Sequence, residues 1–181
     1  MNIRSFLILI TIVLFIGCEL EETKKNQHYN PEQKLEELGI QLSSPSSPVA
    51  NYVNTVKAGN LIFISGKGPL KADGNYVLGK LGENLTLDQG YEAARFTAIN
   101  LISTLKASIG DLSKVKRIVR VTGMVNATSD FIDHPKVVNG CSDLLVEVFG
   151  DNGKHTRAAV GMNSLPLNIA VEIDMVVELY N

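Results

Sequence analysis

From Asn51 onward the chain alternates with the two-residue period of a half-buried strand. Tyr52, Asn54 and Val56 fall on one side of that pattern, Val53 and Thr55 on the other. Ala58-Gly59-Asn60 then turns the chain into Leu61-Ile62-Phe63-Ile64-Ser65, which predicts a β-hairpin. Lys71 to Asn75 predicts a second turn, with Tyr76 to Leu78 as a short strand after it. At Thr86 the period changes. Apolar residues recur at helical spacing through Tyr91, Ala94, Ala98, Leu101, Ile102 and Leu105, behind a Thr86/Gln89 capping box and ahead of a stop at Gly110. Val115 to Val125 reads as a buried strand. Ser129 is positioned to cap a second helix, whose regular part Pro135 limits to Lys136 to Phe149. Gly150-Asp151-Asn152-Gly153 turns the chain into residues 155 to 179, two near-continuous apolar strands joined at Leu165-Pro166. The predicted order is β-β-β-α-β-α-β-β, an α+β fold with both helices on one face of a mixed sheet.

Ahead of this region the pattern is different. Ser5 to Ile16 is an apolar run behind the positive start Met1 to Arg4, of signal-peptide length and too short for a permanent span. It ends in Phe15-Ile16-Gly17-Cys18, which resembles the bacterial lipobox, with Phe15 where Leu is usual. The resemblance implies cleavage before Cys18 and lipidation of its thiol; an uncleaved anchor or an ordinary secreted protein is the other reading. The expected organisation is a signal peptide over 1–17, a flexible polar stalk over 18–34, a short helix (Leu35 to Leu42) and extended lead-in over 35–50, and a folded domain over 51–181. The expected place is the bacterial cell envelope, outside the cytoplasmic membrane and held to it by the N-terminal lipid.

Charge and composition narrow the chemistry. Lys and Arg number 17 against 19 Asp and Glu, and Trp is absent, so no excess of positive charge points to a phosphate-coating protein and no base-stacking platform announces itself. Nucleic acid is therefore not an expected partner. His28, His134 and His155 lack metal-ligand spacing and no paired cysteines accompany them, so no metal site is expected. Cys141 sits among Val137, Val138, Leu144 and Leu145 at helical spacing, the setting of a buried structural thiol. Gly66-Lys67-Gly68 lacks the third Gly and the helix of a phosphate loop, and reads as a turn.

Two opposite charges stand out in the apolar C-terminal strands. Arg157 opens the first, where it shares a face with Ala159 and Gly161. Glu172 interrupts the second, between Val171 and Ile173, with Asp174 two residues on. Small residues beside an Arg leave room for a planar carboxylate to meet its guanidinium in two parallel bonds. A solvated sheet face that both charges merely decorate is the alternative on pattern alone.

The segment Thr156 to Leu179 also resembles the signature of the Rid family (RidA/YjgF, also called endoribonuclease L-PSP, with a chorismate-mutase-like fold). Arg157, Val160, Leu165-Pro166 and Val171-Glu172-Ile173 stand at the family's spacing, with Asp174 in place of a second Glu. Upstream, Tyr52 and Ser65-Gly66 match as well, and Lys67 replaces the usual Gln. The resemblance implies a homotrimer around a central barrel, with clefts between neighbours and no cofactor. It implies that Arg157 binds the carboxylate of a 2-imino or 2-oxo acid and that Glu172 orients water or moves protons. Tyr52, Ser65 and Gly66 would line the same cleft. The implied activity is hydrolysis of 2-imino acids to 2-oxo acids and ammonia. Known deaminating members meet their substrates in the cytosol, so a non-catalytic small-ligand-binding lipoprotein using the same cleft is the alternative.

Overall fold

The hairpin forms where the alternation placed it. Gly59, at φ +63°, supplies the left-handed turn residue between β1 (Thr55–Ala58) and β2 (Leu61–Lys67), which pair antiparallel with Ala58 opposite Leu61. The computed structural model describes residues 29–48 and 50–181. The expected signal peptide, most of the expected stalk and Cys18 lie outside the described residues. A first helix, α1 (Pro31–Glu37), precedes the hairpin. After it come α2 (Leu87–Ile109), β3 (Val115–Asn126), α3 (His134–Phe149), β4 (Thr156–Met162) and β5 (Val171–Leu179).

The five strands form one sheet in the order β1-β2-β5-β3-β4. Only β3 and β4 run parallel, and α3 makes the crossover between them. Ile62, Ile64, Val121, Val125, Val171, Ile173, Met175 and Val177 point to one face and join the buried stripes of α2 and α3 in a single core. The opposite face is open: Val56, Phe63, Val160 and Met162 are 53%, 45%, 42% and 37% exposed. Both outer strands, β1 and β4, leave an edge unpaired within the chain.

Local signals held where local chemistry decided them. Thr86 accepts from the Gln89 backbone N–H at 3.2 Å while the Gln89 side chain accepts from Thr86 N–H at 2.9 Å, and Gly110 ends the helix at φ +80°. Three expectations need correction. Tyr76 and Leu78 make only isolated bridges, to Leu70 and Ile169; Leu78 is 52% exposed, and Val77 between them is the residue that packs on the core. The second long helix starts after Asp133 rather than from a Ser129 cap, without a side-chain capping bond, and with Pro135 accommodated in its first turn, where a backbone N–H has no helical partner. The N-terminal helix starts at Pro31, inside the segment expected to be stalk, and ends at Glu37, short of Leu42. Asn30 Oδ1 accepts from Glu32 N–H and Gln33 N–H at 3.0 and 3.3 Å, and Leu35 is buried against the core. Lys106 pairs with Glu32, and Tyr29 donates to the Glu147 carbonyl. The folded body thus extends back to residue 29 rather than beginning at 51.

Candidate functional site

The site begins with a bulge. Ile64 stands opposite Met175 and Lys67 opposite Ile173, so Ser65 and Gly66 together face one residue of β5, Asp174. Ser65 Oγ donates to the Val53 carbonyl at 2.7 Å and Ser65 N–H to the Asn54 carbonyl at 3.1 Å, which fixes the lead-in that carries Tyr52. Glu172 folds over Gly66. A Cβ on residue 66 would come within 2.2 Å of Glu172 Oε1, so only glycine leaves this space for the carboxylate. Partial burial, and then the charge of Asp174, push the Glu172 carboxyl above the usual glutamate range.

Around this corner is an open cleft of about 670 Å³ on the uncovered sheet face. Ser65, Gly66, Glu172 and Asp174 form its polar end, and Tyr52, Val56, Phe63 and Val176 its flank. Four of the five sequence-predicted ligand residues therefore meet: Tyr52, Ser65, Gly66 and Glu172. Lys67 turns away to the helix side, where its amine donates to Asn54 Oδ1 and burial holds it below the ordinary lysine range.

Arg157 is not among them. It pairs with Val121, and Val121 with Met175, so its side chain leaves the sheet on the helix face. Glu172 pairs with Met124, and Met124 with Val160, on the opposite face. Arg157 is exposed on the edge strand β4, where Nη1 donates to Asn139 Oδ1 at 2.9 Å and to Ser142 Oγ at 3.0 Å. The small residues beside it have a different purpose from the one expected. A Cβ at Gly161 would lie 2.3 Å from His134 Nε2, and Ala159 packs against the core; both make room for α3 and its approach rather than for a ligand.

Asn139 and Ser142 were missed at the sequence level. Their i,i+3 spacing inside the apolar pattern of α3 was the available signal, since it puts two polar groups on one helix side. Cys141 between them is fully buried and its thiol is pushed up to about 12, the state of an inert structural cysteine.

A family model described as "YjgF/chorismate_mutase-like, putative endoribonuclease" matches residues 32–179. The chain belongs to this YjgF family. Over 148 residues it is 42% identical to Protein TCP17 of Trypanosoma cruzi, covering 81% of this chain and 92% of that protein. The crystal structure of Atu1372 from Agrobacterium tumefaciens, of unknown function, superimposes with a TM-score of 0.78 at 39% identity, covering 83% and 92% of the two chains. A Shewanella oneidensis MR-1 protein described as a "putative endoribonuclease" gives 0.80 at 34% identity, over 83% and 99%. The match starts at residue 32, so all but the first residue of α1 lies within the matched YjgF region.

Proposed function

We propose that this YjgF protein binds small 2-oxo and 2-imino carboxylates in a site completed by a neighbouring copy, and hydrolyses the imines. The observation that carries this reading is a mismatch of charge. The residues lining the cleft include Glu172 and Asp174 but no Lys or Arg, so no cation there balances the charge of a bound carboxylate. An exposed Arg stands on the free edge strand of the same sheet, backed by Asn139 and Ser142. A second copy that sets its β4 edge beside the cleft would supply the cation, and a closed three-fold ring would repeat the contact at every border. The exposed apolar residues of the open face would be covered in the same assembly.

In this site Arg157 of a neighbouring copy binds the substrate carboxylate through two parallel N–H donors. Glu172 then faces the imine carbon. As a carboxylate it takes a proton from water while the oxygen attacks C=N, and as the acid it returns that proton to nitrogen; it then takes the remaining hydroxyl proton as the carbonyl forms and passes it to the departing nitrogen, which leaves as ammonia. A carboxyl held above its usual range suits both roles near neutral pH. The balance is one imino acid and one water to one 2-oxo acid and one ammonia.

The test is ammonia release from freshly generated 2-iminopropionate, compared with its spontaneous hydrolysis. Acceleration that disappears in Glu172→Gln supports the hydrolase. Pyruvate binding without acceleration favours a second reading, a binding protein using the same cleft, to which the signal-peptide-like pattern of the N-terminus points. No pyruvate binding removes both.

A further inference from the structure

The hydrogen bonds at Arg157 continue beyond the guanidinium. Ser142 Oγ, which accepts from Arg157 Nη1 at 3.0 Å, lies 3.0 Å from His155 Nε2, and His155 Nδ1 lies 2.6 Å from the Gly153 carbonyl oxygen. A carbonyl oxygen can only accept, so Nδ1 carries a hydrogen. In the neutral ring Nε2 is then bare, and the Ser142 hydroxyl must donate to it. That leaves the oxygen's lone pairs for Arg157. One carbonyl, through three bonds, sets the direction of every donor up to the guanidinium. The sequence builds the chain locally: His155 and Arg157 are two apart at the start of β4, and Asn139 and Ser142 are three apart on α3.

We propose that Ser142 and His155 are positioning residues for Arg157: the Nδ1-protonated imidazole fixes the Ser142 hydroxyl as an acceptor, which holds Nη1 against α3. Nε and Nη2 then remain as the parallel pair that can meet a carboxylate. The inference rests on the assignment of Arg157 as the carboxylate clamp, and gives that clamp a fixed orientation before ligand arrives.

The surroundings keep the ring neutral. Burial, and to a lesser degree the charge of Arg157, hold His155 below the ordinary histidine range, although the Gly153 contact acts the other way. Asp151 and Lys154, in the preceding turn, pair with each other at 2.7 Å; α3 presents the Ser142 hydroxyl. A second proton on the ring would turn Nε2 into a donor competing with Arg157 for the same oxygen.

The test uses the full chain in detergent, with ¹⁵N-labelled histidine and arginine. At neutral pH His155 is expected as the Nδ1–H tautomer, with a sharp Arg157 Nε–H signal. Ser142→Ala and His155→Leu should broaden that signal. His155→Gln, whose side-chain oxygen replaces Nε2 as acceptor, should restore it. Pyruvate affinity should fall roughly three- to tenfold in the first two variants and remain in the third, and the Ser142→Ala/His155→Leu double variant should lose no more than either. An Nε2–H tautomer, or an Arg157 signal indifferent to both Ser142→Ala and His155→Leu, overturns the proposal. Should Ser142→Ala fail to fold, the contrast between His155→Leu and His155→Gln decides alone. The expected spectra without any pyruvate binding would sink the clamp reading and leave the positioning of Arg157 standing.

Discussion

Glu172 and Gly66 are one unit: the missing side chain on the bulge is the space in which the carboxylate sits. Its position has a stability consequence with a definite sign. Because the folded protein raises the Glu172 pKa, ionising this group above the carboxylate range costs folding stability, and that cost is absent at acid pH, where it is protonated. Glu172→Gln should therefore raise the melting temperature at neutral pH, the gain shrinking as pH falls into the carboxylate range, while ammonia release is lost. Thermal melts across pH check this. At Arg157 the expected pattern differs. Arg157→Ala should keep the fold, since the side chain is exposed, but lose about ten- to hundredfold in pyruvate affinity, the share of a charge-assisted bidentate contact. Arg157→Lys should also bind poorly, because an ammonium offers no parallel pair of donors. Calorimetric titration beside thermal unfolding separates these effects.

Among the elements, α2 and α3 approach so closely that a Cβ on Gly140 would fall 2.0 Å from the Tyr91 carbonyl oxygen, a backbone atom that cannot yield alone. Gly140→Ala should destabilise the domain by about 1–3 kcal/mol despite a better helix propensity, as read by urea unfolding. This contact was invisible in the sequence, since helical periodicity marks a buried side but not how near its neighbour comes. Elements decided within a few residues were legible: the Thr86/Gln89 box, the Gly59 turn and the alternation of β5. Those decided at long range were not. The helix at Pro31 buries one leucine and is held by partners more than seventy residues away, at Lys106 and Glu147. Alternation correctly placed Arg157 with Ala159 and Gly161, but only the β3–β4 register shows that α3 covers this face.

For the whole molecule, the candidate site residues were legible as a set and their separation was not. Arg157 and Glu172 are fifteen positions apart in one motif, yet emerge on opposite faces of the sheet, which makes an assembly the natural place for them to meet. The N-terminus adds its own expectation. Cys18→Ala should abolish incorporation of labelled fatty acid and release the protein from the membrane fraction; identical fractionation of both forms, with no label in either, contradicts the lipid anchor. The most direct measurement of a shared site mixes two crippled chains. Arg157→Ala and Glu172→Gln variants, each inactive alone on 2-iminopropionate, are co-expressed and the mixed oligomers isolated. If each site takes its Arg from one copy and its Glu from the next in a three-fold ring, one of the three borders is intact in every mixed trimer, and the isolated mixed oligomers recover about a third of the wild-type sites and of the ammonia release. Mixed oligomers no more active than the separate variants would contradict a site built between copies.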